Sequence, residues 1–152
     1  MMLNQPSLLV SLLLLLVTGC ATTPYGNYVD GDAPSQNTAV IASDAAYQLM
    51  QLYPPASTKI NMQHPTTDPF GVAFMENLRK GGYAIQEHVK TSLAQPDQQA
   101  AKPADGIRLA YIFDQSNGLY RLSVMIDEQM LTRAYVPHQD TMQPAGSWVM
   151  KE

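Results

Sequence analysis

Three scarcities frame this sequence. It holds one cysteine, Cys20, in 152 residues, so no internal disulfide is available and burial alone must hold the fold. Charged residues make up only 14% of the chain, and the nine Lys and Arg are scattered from Lys59 to Lys151. With a net charge of -4 and no cluster of cations, the chain lacks what phosphate contacts require, which excludes a nucleic-acid binder. The third scarcity is a long apolar run. Residues 8–17 are nearly all Leu and Val, but as a helix they would reach roughly 15 Å against a hydrocarbon core of about 30 Å.

Catalytic signatures are missing as well. The sequence contains no G-x-S-x-G, no P-loop and no G-x-G-x-x-G. His64, His88 and His138 stand far apart, none with a second ligand type at a zinc-like spacing. The acidic pair Asp127-Glu128 falls in an expected tight turn, where adjacent carboxylates point apart, whereas a general acid and base need to face one another. No enzyme, no metal and no small-molecule substrate is therefore expected.

What is present begins at the N-terminus. An apolar run of that length fits the h-region of a secretory signal, closed by small residues where it is cut. Val17-Thr18-Gly19-Cys20 resembles the lipobox of bacterial lipoproteins. A thiol can take a diacylglyceryl group as a thioether, and Thr18 and Gly19 leave room for a peptidase. Cys20 would then become the first residue and receive an N-acyl chain too, and two or three chains on one residue anchor stably where one is marginal. An ordinary secretory signal with an incidental cysteine, or a Cys in a short core helix, are the alternatives. Residues 1–7 carry no Lys or Arg, which departs from the usual signal. Ala21, rather than Asp, follows the cysteine; by resemblance to the enterobacterial sorting rule this implies the outer membrane.

The expected organisation is a signal peptide at 1–19, a lipidated flexible tether at 20–38 and a folded domain at 39–152. The tether is rich in Gly, Pro, Asp and Thr without periodicity, and its span would be on the order of 20 to 25 Å. Tyr25 and Tyr28 within it are candidates for docking on a partner or for the headgroup zone; packing back on the domain is the alternative. In the domain, Ile41, Ala45, Leu49 and Leu52 fall at helical spacing before Pro54-Pro55. Ile60 and Met62 alternate as a short strand. Asp68 caps a second helix that starts on Pro69, buries Phe70, Phe74 and Leu78, and ends at Gly81-Gly82. A strand at 83–89 follows, then a polar loop at 91–106. Ile107 to Phe113 and Tyr120 to Ile126 alternate around Asn117-Gly118, a hairpin turn. Residues 130–136 form the next strand, and a last short strand falls near Trp148. The fold class is α+β: two helices packed on one face of a mixed, mostly antiparallel sheet, built as a β-α-β unit followed by a β-meander. Tyr111, Tyr120, Tyr135 and Trp148 are read as core.

Several segments together resemble TrbH, the small lipoprotein family of conjugal transfer systems: "GCAT", "YGNYV", "LYPPAST", "DPFGVAFMENLRKGGYAI", "LAYIFDQSNGLYRLSVMIDEQMLTRAY" and "PAGSWVMKE". The resemblance implies a component of the mating-pair formation apparatus, a type IV secretion system. Such a component would be anchored to outer-membrane lipid, face the periplasm and contact other subunits at the channel ring. It transfers one residue role, Cys20 as the acylation site, and no catalytic residue or cofactor. A cell-wall-binding or wall-modifying envelope lipoprotein and a pilotin-like assembly chaperone are the competing readings.

Overall fold

The computed structural model describes residues 27–30, 37–88 and 105–152. In chain order they form β1 (Tyr28–Val29), α1 (Thr38–Leu52), a 3-10 turn (Pro55–Ser57), β2 (Lys59–Met62), α2 (Pro69–Lys80), β3 (Ala84–Gln86), β4 (Ile107–Ser116), β5 (Leu119–Ile126), β6 (Gln129–His138), β7 (Thr141–Pro144) and β8 (Val149–Lys151). All eight strands join one mixed sheet in the order β3-β2-β4-β5-β6-β7, with β1 beside β4 and β8 beside β6. The fold is α+β, as the patterning implies.

Strand periodicity explains why both helices lie on one face. Leu109, Tyr111 and Phe113 of β4 share a side with Leu122 and Val124 of β5 and with Leu131 and Tyr135 of β6, and all are buried. From α1, Ile41, Ala42, Ala45, Ala46 and Leu49 pack into that side; from α2, Phe70, Phe74, Met75 and Leu78 do so. Leu52, expected on the buried face of α1, is instead 39% exposed, because it lies in the last turn. Phe70 sits 4.9 Å from the Tyr111 ring, edge-on, and 5.8 Å from Phe113. Aromatic pairs of this geometry contribute about 0.5–1.5 kcal/mol each beyond their burial.

Turn chemistry fixes the meander. Asn117 and Gly118 both have positive φ, the requirement of the two-residue hairpin that matches strand twist. Asp127 and Gln139 adopt φ near 53° and 52° at the two following turns, which places β5, β6 and β7 side by side.

The structure corrects the sequence reading at three places. Part of the stretch assigned to a free tether, 20–38, belongs to the domain: Tyr28–Val29 is a strand parallel to Ile112–Phe113 of β4, and α1 starts at Thr38. The reason is that β2 covers only residues 107–109 of β4, and the exposed remainder of that edge carries backbone groups that need partners. The strand expected at 83–89 is only Ala84–Gln86, paired with all of Lys59 to Asn61 in β2; Glu87 and His88 lie beyond it, and Val89 lies outside the described residues. A strand absent from the sequence reading, β7, pairs with the end of β6.

Candidate functional site

The site is built around Tyr111 in the middle of β4. Its backbone N–H donates to Asn27 Oδ1 at 3.0 Å, and Asn27 Nδ2 donates to the carbonyls of His64 at 3.0 Å and Pro65 at 3.2 Å. Just before it, Gln63 N–H reaches Leu109 O at 3.0 Å; just after, Asp30 N–H reaches Phe113 O at 2.8 Å. The Asn27 side chain thus stands in for a strand between the end of β2 and the start of β1. The segment "YGNYV" has a structural use: its asparagine latches the N-terminal segment onto the sheet.

The Tyr111 hydroxyl meanwhile donates to Asp68 Oδ2, while Asp68 Oδ1 accepts from Gly71 N–H at 2.7 Å as the N-cap of α2. Gly71 is required here. A Cβ on it would lie 2.0 Å from the Tyr111 hydroxyl. "DPFG" is therefore one physical unit: a cap, a first-turn proline, a core phenylalanine and a gap for a tyrosine. Burial, reinforced by the Asp68 hydrogen bond, pushes the Tyr111 phenol far above its ordinary range.

A second knot ties α1 to β6. Arg133 Nη1 donates to both Asp44 oxygens at 3.0 and 2.9 Å, and the Tyr135 hydroxyl donates to Asp44 Oδ2 at 2.6 Å. Arg133 Nε donates to Gly146 O at 2.8 Å, and the guanidinium lies 5.8 Å from the Trp148 ring. Burial first, then the bond to Asp44, raises the Tyr135 phenol as well, with Arg133 opposing in part. "LTRAY" and "PAGSW" meet in this clamp. Sequence reading missed Asp44 and Arg133 because they are 89 residues apart and nothing local marks them as partners.

The remaining candidates divide. Cys20, Val17, Thr18, Gly19 and Tyr25 lie outside the described residues. Tyr28 has its backbone in β1 while its side chain is 53% exposed. Tyr111, Tyr120 and Tyr135 are core, and Trp148 packs against it. Asp127 Oδ1 accepts from the backbone and side chain of Arg108, both at 3.0 Å, so that carboxylate serves the turn. The structure brings His64 and His88 together, with ring centroids 6.4 Å apart; His138 sits exposed at the end of β6. Among the described residues no group of three or more His, Cys, Asp or Glu is placed to hold a metal ion, and no helix is long and apolar enough to cross a membrane. Shallow grooves are present, one along Ala39, Val40, Ser43, Asp44 and Tyr47 on the outer side of α1.

The architecture defines a small α+β domain whose N-terminal segment is latched to its sheet. The family model described as "Conjugal transfer protein TrbH" matches residues 22–152, and the chain belongs to that family. It is thus a component of conjugal transfer, with other subunits of a transfer system as its partners. Searches against curated proteins and against solved structures gave no match.

Proposed function

We propose that this conjugal transfer component is a lipoprotein: cut before Cys20, acylated on its sulfur and amine, and held on the outer membrane facing the periplasm. There it fills a structural and assembly role in the mating-pair formation apparatus and carries out no reaction of its own. The acyl chains are its only non-protein groups, and its partners are lipid and the subunits of the channel ring. The residue types of Val17-Thr18-Gly19-Cys20 support the anchor, because they supply a nucleophilic thiol behind small residues at the end of an apolar run.

The observation that carries the reading is the family match over residues 22–152; the Asn27 latch sets what an anchor at Cys20 would do. With Asn27 fixed to the sheet, only the seven steps from Cys20 to Asn27 separate the anchor from the folded domain, a reach of no more than about 25 Å fully extended. A free 20–38 tether would allow far more. Such a leash confines the domain to a thin layer and raises its effective concentration toward neighbouring subunits, so weak contacts suffice for assembly.

The test is plasmid transfer from donors carrying Cys20→Ser, combined with fractionation of the envelope. The reading requires transfer to collapse and the protein to leave the outer-membrane fraction. Unchanged transfer, with the protein still in that fraction, would overturn it.

A further inference from the structure

The two faces of the sheet differ. Both helices cover the face formed by Leu109, Tyr111 and Phe113; among the described residues no helix lies over the other. Across its middle, Ile112, Met125 and Met130 are half-buried, with Tyr28 53% exposed at one flank and Val149 63% exposed at the other. Ala110 and Ser123 keep the floor between them low, each under a tenth exposed. The hydroxyls of Ser123 and Thr132, paired across β5 and β6, lie 3.2 Å apart and bond to each other. The polar groups in the centre are thus already satisfied, so covering them strands nothing.

The rim carries a specific charge pattern. Arg108 of β4 pairs with Asp127 at one end of the face, and Asp114 of β4 pairs with Arg121 of β5 at the other. Because the two strands are antiparallel, the four charges form a square of alternating sign: plus and minus at one end, minus and plus at the other. Turned over about a two-fold axis lying in the plane of the face, such a square sets every plus over a minus, whether the axis runs along the strands or across them. Both cations of this square are already neutralised, so the square itself offers little to an anionic bilayer; Lys151, level with Met130 at the β8 flank, is exposed and has no ion pair among the described residues.

We propose that this open face seats a second copy of the same chain, sheet against sheet. Six residue steps along β4, from Arg108 to Asp114, separate the rim pairs, about 20 Å, and the strands from β1 to β8 add a similar width at about 4.8 Å each. The footprint is roughly 400 Å² per copy, about 800 Å² in total and under the roughly 1,000 Å² that a stable interface clears, so the association is transient in free solution and needs the raised local concentration of copies held in one layer. Only that last step rests on the anchored reading of the preceding subsection.

The experiment uses the full chain in envelopes of the producing cells. Met130→Cys on the open face and Val72→Cys, exposed on α2, are treated with a bis-maleimide that reaches about 18 Å, enough for three strand spacings sideways and one sheet-to-sheet separation, the widest gap between Met130 copies in either orientation. Acylation of Cys20 is read by mass in the same samples, so a missing anchor and a missing dimer are told apart. The proposal requires a product of twice the mass from Met130→Cys and none from Val72→Cys. Adding Asp114→Arg, which sets like charges opposite one another in either orientation, should cut that product roughly tenfold or more. Met125→Lys at the centre should do the same, with thermal midpoints of both variants showing that they fold. A doubled product from Val72→Cys at equal yield, an indifferent response to both variants, or Met130→Cys remaining monomeric or joined only to other proteins on acylated chains would overturn it.

Discussion

Each helix is bound to the sheet by a tyrosine hydroxyl donating to an aspartate, yet the two aspartates are held differently. Asp68 sits at the start of α2 and shares its oxygens between Tyr111 and the N–H of Gly71; among the described residues no cation takes part. Asp44 sits inside α1 and faces a guanidinium as well as Tyr135. The first knot depends on space, because a glycine must be absent of a side chain for the tyrosine to arrive. The second depends on charge, because Arg133 and Asp44, with side chains 19% and 26% exposed, are desolvated enough that removing either leaves the other without its counter-charge.

The largest effect should come from filling the first knot. Gly71→Ala is expected to lose about 3 kcal/mol of stability in denaturant titration, the upper range for overpacking. Adding Tyr111→Phe should recover part of that loss, since it removes the clashing hydroxyl; a loss that simply adds would show the two sites to be independent. Arg133→Ala should cost about 2 kcal/mol, by breaking a partly buried charge pair and its bond to Gly146. Lowering the charge knot by salt should change little, because the pair is shielded from ions.

The smallest thermodynamic effect belongs to the N-terminal latch. Asn27→Ala should cost about 1 kcal/mol, read best as faster hydrogen exchange at the Tyr111 amide with the rest of the sheet still protected. Both knots also make one prediction about pH. Each phenol is raised above its ordinary value of 10.0 by burial and by the bond to its aspartate, so each stabilises the fold fully below pH 10 and loses that contribution as pH climbs beyond it. Tyr111→Phe and Tyr135→Phe should therefore each flatten the fall in thermal midpoint above pH 10.

Sequence carried the parts of this account that repeat locally. The alternation of Ile107 to Phe113, the capping and proline start at Asp68-Pro69, and the Asn117-Gly118 turn each state their own structure through spacing or φ preference. What it could not show is made of single contacts over long separations. Tyr28–Val29 is too short for any periodicity, and its reason for being a strand is an open stretch of β4 edge some 84 residues away. Asp44 reads as one polar residue on a helix until Arg133 and Tyr135 are brought to it. The value of Gly71 is equally invisible, since in sequence a glycine in a first helical turn looks only like a weak helix former.

The central claim is that acyl chains on Cys20 hold the latched domain beside a bilayer, and intact-mass spectrometry of the protein extracted from donor-cell envelopes tests it most directly. The account predicts a chain beginning at Cys20 and heavier than its polypeptide by a diacylglyceryl group and a further acyl chain. A mass matching the chain from Met1, or one beginning elsewhere with an unmodified thiol, would contradict it.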